Sequence, residues 1–315
     1  MKLALFDDYQ PGIVVGDTIV AVADVAGPEI MAQAGVYRMS ALIERFDDLR
    51  AALEQAAARP GRPLADVRLR APVPRPSKML FCVSNYFENV KSPPFALDFF
   101  LKAPSSVLDP GGTVVLPPHD AIIFHHEAEL AVVVGRRATN VSRENAMDYV
   151  FGYTQIIDVS ARGLGAGPPP GFRAKSFDTF CPMGPWIVTA DEIPDPYHLS
   201  VKLWVDDQPR HDYNTDDMEH SVAAMIETAS AIATLEPGDI IACGVNHQGV
   251  GPLQDGETAV IEIERIGRMS VKVHDPLKRR WLKQIDVGMG RAIRRKRETG
   301  ITAPPSELYT MRRLS

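Results

Sequence analysis

Two glutamates separated by one residue, Glu127 and Glu129, stand at the start of an apolar run and are the first candidates for chemistry. The four apolar residues that follow Leu130 are typical of a buried β-strand. If the strand begins before Glu127, alternation places His125, Glu127 and Glu129 on one face. Two carboxylates on a partly buried face repel each other unless a cation, a proton or solvent compensates. A hard divalent ion is one solution. A solvent-facing edge strand with two exposed acids is the other.

A third carboxylate, Asp158, follows the apolar residues Ile156 and Ile157, which predicts a position at a strand end near the interior. A buried aspartate almost always needs a partner. Arg162, four residues further on, could supply an ordinary ion pair. Lys175 is another candidate charge, although a single lysine is usually solvated.

The elements that must position these residues are many short strands and few helices. We predict helices at residues 39–59, 142–149 and 221–233, the first of which ends at a Pro and Gly cluster. Strands are predicted at residues 3–6, 12–15, 79–83, 122–124, 130–134, 155–159, 186–188, 199–205, 240–242 and 260–266. This pattern indicates a β-rich α+β fold.

Three alternating prolines at Pro72, Pro74 and Pro76 are typical of an extended linker and place a boundary near residue 70. We therefore predict a small N-terminal α/β domain at residues 1–70 and a catalytic domain at residues 71–275. A basic C-terminal extension is predicted at residues 276–315.

Charge is distributed unevenly along the 315 residues. The net charge of −6 gives no general attraction to nucleic acid or to an anionic membrane, so we expect neither as a partner. The extension nevertheless carries eleven Lys and Arg against three Asp and Glu, a net of +8. It could steer anions, bind an acidic partner, or form a solvated helix or one packed on a sister subunit.

The three cysteines, Cys82, Cys181 and Cys243, are odd in number and far apart in sequence, which argues against a disulfide framework. The N-terminus has no signal-peptide pattern, and no stretch approaches the ~20 apolar residues of a membrane span. We expect a cytoplasmic protein.

Seven ordered segments across residues 72–274 resemble the fumarylacetoacetate hydrolase superfamily, of the acylpyruvate hydrolase and 2-oxo acid decarboxylase-isomerase type. The segments are residues 81–86, 100–106, 127–130, 149–162, 175–186, 214–218 and 235–241, the last before a glycine-rich turn at 249–251. The resemblance implies a mixed β-sandwich roll, usually a homodimer.

The resemblance also implies roles for individual residues. Glu127, Glu129 and Asp158 match the three carboxylate ligands of Mg²⁺ (or Mn²⁺ or Ca²⁺). Lys175 matches the lysine beside the metal and the substrate, and Arg162 is similar to the arginine packed behind the aspartate.

The implied reaction is hydrolysis of a C–C bond in a 1,3-dicarbonyl 2-oxo acid, such as an acylpyruvate, through a metal-bound enolate. The same metal site serves 2-oxo acid decarboxylases, isomerases or tautomerases, and dehydratases. A homologue that binds metal without catalysis and acts as a binding protein is a further alternative.

The sequence departs from the family where hydrolysis needs a base. Many members carry Asn-Tyr-x-x-His-x-x-Glu, but here Asn89 replaces the histidine and Ser92 the glutamate. Neither can act as a general base near neutral pH. We expect Glu88, one position away, to point elsewhere if this segment is helical. The aromatic and proline-rich residues 87–100 would suit a bulkier or more apolar substrate, or serve only in packing.

The glycine-rich turn at residues 244–251 also departs from the family pattern. It is one residue longer than usual, and Val245 stands where the family has a threonine hydroxyl. Asn246, His247 and Gln248 add polar groups at its rim.

We predict that His247 or His125 transfers the proton. The alternatives are a loop histidine that only contacts substrate, for His247, and an orienting group behind the metal ligands, for His125. The predicted substrate-binding residues are Tyr86, Arg162, Asn246 and Gln248.

Overall fold

The structure is a computed structural model that describes residues 1–164 and 171–314. In the described residues the strands are β1 (Lys2–Phe6), β2 (Gln10–Val15), β3 (Thr18–Ala21), β4 (Arg62–Pro63), β5 (Leu69–Arg70), β6 (Met79–Cys82), β7 (Phe99–Lys102), β8 (Val107–Leu108), β9 (Thr113–Val115), β10 (Ile123–His125), β11 (Ala128–Val134), β12 (Val150–Ile157), β13 (Ser160–Arg162), β14 (Cys181–Thr189), β15 (Ser200–Val205), β16 (Gln208–Asn214), β17 (Ile240–Ala242), β18 (Thr258–Ile263) and β19 (Gly267–His274). The α-helices are α1 (Ala23–Met31), α2 (Arg38–Glu44), α3 (Phe46–Ala56), α4 (Gly171–Lys175), α5 (Val222–Ile232), α6 (Val287–Thr299) and α7 (Pro305–Leu308).

A large mixed sheet runs through the molecule in the order β4-β3-β2-β1-β14-β12-β11-β17-β6-β7. Its centre is antiparallel, with β11 between β12 and β17, whereas β17 and β6 run parallel. A five-stranded sheet has the order β16-β15-β18-β19-β9, and β10 pairs with β13. The β-dominated fold class is confirmed.

Strand β11 explains why its sequence is a continuous apolar run rather than an alternating one. Leu130, Val132 and Val134 face a core shared with β15, β18 and β19 of the five-stranded sheet. Ala131 and Val133 face a second core, which helices α1–α3 complete. Because both faces of the strand are buried, both sets of alternate residues must be apolar.

The N-terminal strands extend the large sheet, since β1 pairs with β14 (Lys2 with Val188). The predicted helix at 39–59 is two helices, α2 and α3, which meet at Arg45, where φ is −105° and ψ is 11°. The predicted helix at 142–149 is wrong, because only a 3₁₀ turn forms at Ala146–Tyr149. The domain boundaries near residues 70 and 275 stay predictions.

Helix α6 lies in the basic extension and returns to the body of the protein. The Asp286 side chain caps its start by accepting the backbone N–H of Gly288, and Gly300 ends it in the left-handed conformation at φ 72°. Within the described residues, α6 is the longest helix at 13 residues. No helix in that part of the chain is long and apolar enough to cross a bilayer.

Candidate active site and metal centre

Three carboxylates, those of Glu127, Glu129 and Asp158, lie with one oxygen of each within 4.8 Å of the others, and all three residues are buried. The condition for placing His125, Glu127 and Glu129 on one strand face is not met, because β10 ends at His125 and β11 begins at Ala128, so Glu127 lies in the break between them. Asp158 follows β12 as expected, and its N–H donates to the carbonyl oxygen of Glu127 at 2.7 Å. This backbone contact brings the two ends of the cluster together.

Three cations surround the carboxylates. The ammonium of Lys175 lies 2.5 Å from Glu127 Oε2 and 2.5 Å from Asp158 Oδ2. Lys102, which the sequence reasoning missed, pairs with Asp158 and also donates to the carbonyl oxygen of Phe180 at 2.7 Å.

Arg162 pairs with Glu127 rather than with Asp158. Strand β13 pairs with β10 so that Arg162 lies opposite Ile123, and its side chain reaches from there to Glu127, which corrects the expectation that it packs behind the aspartate.

Glu129 is the carboxylate without a cationic partner among the described residues. It accepts the N–H of Gly244 at 2.9 Å. Burial, and then the charge of Asp158, raise the pKa of Glu129 above its ordinary value. A cluster of three buried oxygen donors with one carboxylate uncompensated fits a hard divalent cation, and the absence of thiolates in it favours Mg²⁺, Mn²⁺ or Ca²⁺ over zinc.

The cluster opens into a cavity of about 390 Å³. Its polar wall is formed by Glu127, Glu129, Asp158, Arg162, Lys175 and His247. Its apolar wall is formed by Val83, Phe99, Phe100, Val245 and Met289. A small organic acid fits a volume of this size, with its charged end toward the polar wall.

His247 is held by Glu88. The Glu88 carboxylate lies 2.8 Å from His247 Nδ1 and also accepts the backbone N–H of His247 at 2.8 Å. A carboxylate only accepts hydrogen bonds, so Nδ1 carries the proton and Nε2 has the free lone pair. The expectation that Glu88 points elsewhere is wrong, because its segment is not helical: Glu88 and Asn89 form a tight turn with φ of 56° and 58°.

His125 is fully buried and does not line the cavity. Its Nε2 lies 3.1 Å from Asp286, and Arg162 Nε lies 3.4 Å from its Nδ1. Burial lowers the pKa of His125 to about 4, in spite of the opposing hydrogen bond to Asp286. This geometry places His125 behind Arg162, where it orients that side chain.

The residues between β6 and β7, 83–98, form a loop beside the cavity that we call the lid loop. Of the four predicted substrate-binding residues, Arg162 lines the cavity, whereas Tyr86, Asn246 and Gln248 do not. Tyr86 belongs to the lid loop itself. Asn246 donates to Asp217 at 2.9 Å, and Gln248 donates to the carbonyl oxygen of Glu88 at 3.0 Å. Gln248 therefore holds the loop directly, and Asn246 does so through Asp217, which accepts the N–H of Asn89 at 3.2 Å.

Residues 80–274 match the model of the fumarylacetoacetate (FAA) hydrolase C-terminal family. That span carries the whole carboxylate cluster, Lys175, Glu88 and His247. The chain belongs to the fumarylacetoacetate hydrolase family.

Within the family, the chain is similar to maleylpyruvate hydrolase of Aquipseudomonas alcaligenes, with 35% identity over 87% of this chain and 99% of the relative. It is also similar to the crystal structure of maleylpyruvate hydrolase from Sphingobium sp. SYK-6, with 41% identity, a TM-score of 0.78, and coverage of 87% of this chain and 100% of the other. That enzyme has also been solved with manganese(II) and pyruvate. Oxaloacetate tautomerase of Bacillus subtilis is 37% identical over 67% of this chain and 74% of its own.

The sequence reasoning missed two residues that contact the candidate site, Lys102 and Asp286, and placed a third, Glu88, wrongly. Lys102 lies in one of the seven family segments, at the end of the apolar strand β7. Its charge at that position could have identified it as a site residue. Asp286 lies outside the family span, and Glu88 depends on a turn conformation. Neither position has a signal in local composition.

Proposed function

We propose that the chain is a divalent-metal-dependent hydrolase of acylpyruvate-type 2-oxo acids. One observation carries the proposal: a single cavity of about 390 Å³ contains both a carboxylate cluster suited to a divalent ion and a histidine oriented by a buried glutamate. The first feature suits a 2-oxo acid, and the second suits activation of water. The similarity to maleylpyruvate hydrolases supports the same assignment.

Glu127, Glu129 and Asp158 would hold the ion, Mg²⁺ or alternatively Mn²⁺ or Ca²⁺. When bound, such an ion supplies Lewis-acid stabilisation of negative charge on the substrate oxygens. Lys102 fixes Asp158 from behind and His125 fixes Arg162, so the cluster is oriented before substrate arrives.

His247 acts as the general base in this proposal. Its Nε2 takes a proton from water, and the water oxygen forms a bond to the acyl carbonyl carbon of the substrate. The C–C bond between that carbon and the pyruvate methylene breaks, and its electron pair becomes the enolate of pyruvate. The proton on His247 then returns to the methylene carbon, giving a carboxylic acid and pyruvate. Glu88 keeps Nδ1 protonated throughout.

Lys175 and Arg162 supply positive charge on the polar wall, where the 2-oxo-carboxylate end of a substrate would lie. The apolar wall of Val83, Phe99 and Met289 would contact the acyl group and exclude surplus water.

A tautomerase is the second candidate function. The observation that favours it is the 37% identity to an oxaloacetate tautomerase, and the same base could move a proton between carbon and oxygen without C–C cleavage. Decarboxylation or dehydration would use the same metal site. The test is therefore built to separate these reactions.

The experiment supplies the purified chain with Mg²⁺ or Mn²⁺ and a panel of acylpyruvates that includes maleylpyruvate, together with oxaloacetate. Loss of enol absorbance is followed with pyruvate release by lactate dehydrogenase, and with CO₂ release. Absorbance loss with stoichiometric pyruvate and no CO₂ from an acylpyruvate supports hydrolysis. Absorbance change without products supports the tautomerase. Metal and ligand binding with no chemistry on any substrate would overturn both and favour a binding protein.

A further inference from the structure

Helix α6 of the basic extension lies against the candidate active site, although it stands outside the family span of residues 80–274. Met289 lines the cavity. A Cβ on Gly290 would lie 3.2 Å from Gln248 Cα and 3.4 Å from the carbonyl oxygen of His247, so the helix backbone approaches the His247 turn closely. Only a glycine allows this distance without a shift of one of the two segments.

Arg297, in the last turn of α6, reaches from the helix into the lid loop. Its guanidinium, which has no exposed surface, donates to the carbonyl oxygen of Tyr86 at 2.6 Å, to that of Ser84 at 3.4 Å and to Ser92 Oγ at 3.3 Å. It also lies 4.0 Å from the centre of the Phe95 ring. All of these partners belong to the lid loop, so one side chain contacts the loop at four positions.

The charge of Arg297 is balanced by Glu219, whose carboxylate is likewise fully buried. Glu219 Oε2 accepts the N–H of Phe95 at 2.6 Å. A buried ion pair is costly unless its remaining hydrogen bonds are made, and here they are made to the lid loop except at Arg297 Nε. The pair therefore joins three segments, namely α6, the lid loop and the turn before α5.

The position of Glu88 depends on the lid loop. Its backbone is in the left-handed region at φ 56°, which costs conformational energy for a residue with a side chain and persists only when the surroundings enforce it. The N–H of Phe87 donates to Asp217 O at 2.9 Å and Gln248 holds Glu88 O from the other side. Arg297 donates to the carbonyl oxygen of Tyr86, the residue before Phe87.

We propose that the basic extension holds the lid loop closed through Arg297, and that Arg297 is a positioning residue for the Glu88–His247 pair. The inference rests on the proposed function only where it concerns turnover. The contact between Arg297 and the loop is a separate claim with its own measurement.

The test compares Arg297→Ala, Arg297→Lys and Arg312→Ala, the last at an exposed arginine of the same extension. Hydrogen exchange in the full-length metal-loaded protein reports the backbone amides of Phe87 and Phe95. We expect exchange there to accelerate at least tenfold in Arg297→Ala, to a lesser degree in Arg297→Lys, and not in Arg312→Ala. Unchanged protection in Arg297→Ala would overturn the proposal.

Two further measurements test whether Arg297 positions the Glu88–His247 pair. The Nδ1 proton of His247, assigned by its loss in His247→Gln, should give a downfield NMR signal that disappears or shifts in Arg297→Ala. In turnover, kcat should fall about tenfold or more, while the Mn²⁺ affinity stays within twofold. A lid loop that opens without a change in the His247 signal would show that Arg297 does not position the pair.

Glu219→Gln is a second variant in case Arg297→Ala fails to fold. It removes only the negative charge of the ion pair and retains a hydrogen-bonding side chain. It should accelerate exchange at Phe95 in the same direction. If the wild type releases no pyruvate, the proposed hydrolysis fails, while the exchange and NMR results still decide the inference. If the wild type is a hydrolase and Arg297→Ala matches it in all three readouts, the inference alone fails.

Discussion

His247 is the proposed general base, so its substitution should separate chemistry from metal binding. We expect His247→Gln to lower kcat by about 10²–10⁴-fold, because a positioned general base typically contributes this much. Glu88→Gln should also lower kcat, by up to about 10⁴-fold, since a glutamine cannot stabilise the imidazolium and its NH₂ group can turn toward Nδ1 and favour the wrong tautomer. Steady-state rates of pyruvate release measure both.

The matched control is His274→Gln, which alters an exposed histidine that also pairs with a carboxylate, that of Asp255 at 3.1 Å. This variant should keep the wild-type rate. A His247→Gln protein that turns over within a fewfold of wild type would remove the histidine from the mechanism.

Glu129 gives a second prediction, one of stability. Its raised pKa means that the folded protein binds this proton more tightly than the unfolded chain does, so the contribution to stability falls as pH rises above the unfolded pKa of about 4.3. Near pH 7 the unfolded chain carries this charge, whereas the pKa of about 8 keeps Glu129 largely protonated in the metal-free folded protein, so folding takes up a proton at a cost in stability. Glu129→Gln removes this cost of proton uptake, and we expect it to raise the melting temperature of the metal-free protein by about 2–4 °C for each kcal/mol regained.

The same variant should lose the stabilisation that Mn²⁺ gives the wild type, because one of three ligands is altered. Melting curves with EDTA and with Mn²⁺ measure both effects, and Glu144→Gln, at an exposed site, is the control. A Glu129→Gln protein that still gains the full Mn²⁺ shift would exclude Glu129 from the metal site.

At the scale of elements, the contact between α6 and the His247 turn predicts an unusual outcome for Gly290→Ala. In a helix interior this substitution ordinarily stabilises by about 1 kcal/mol. Here the added Cβ would lie 3.2 Å from the backbone of Gln248, so α6 must move away from the turn. We expect a lower melting temperature and a severalfold loss of kcat/KM, with Glu298→Ala on the exposed part of α6 as the control. A stabilised, fully active Gly290→Ala protein would contradict the close packing.

Strands buried on both faces could be predicted from the sequence, since their side chains are apolar whatever the register. Strand β17 was predicted with the bounds that it has, Ile240–Ala242, and helix α5 lies within the predicted range of 221–233. The helix predicted at 142–149 failed because Ser, Asn and Asp there favour turns, and only a 3₁₀ segment forms.

The candidate site could likewise be predicted only in part from the sequence. The approach of Glu127, Glu129 and Asp158 followed from family segments, although Glu127 lies in a break between two strands rather than on the strand of Glu129. Glu88 could not be placed, because its direction depends on a positive φ that tertiary contacts enforce. The role of α6 was equally inaccessible, since Arg297 reads as one more basic residue in a charged helix until its partners in the lid loop are known.

At the scale of the whole molecule, the charge of +8 in residues 276–315 lies in the segment that borders the cavity. Anionic substrates should be attracted to it, which raises the association rate at low ionic strength. We expect kcat/KM to fall with added salt while kcat changes little. The double variant Arg291→Glu with Arg294→Glu, at exposed positions of α6, should lower kcat/KM severalfold at low salt and flatten the salt dependence.

The control double variant is Arg136→Glu with Arg137→Glu, an exposed pair that follows the end of β11 opposite to Glu129. Its salt dependence should match that of the wild type. Equal loss of kcat/KM in both double variants would show that total charge, rather than the position of α6, governs association.

The partnership of Arg297 with the lid loop also sets an order of events during synthesis on the ribosome. Tyr86 and Arg297 are 211 residues apart. At about 5–20 residues per second, the lid loop emerges roughly 10–40 s before the arginine that contacts it. The carboxylate cluster and Lys175 are complete by residue 175, more than a hundred residues earlier than Arg297. A nascent chain therefore contains the whole carboxylate cluster well before Arg297 can contact the lid loop.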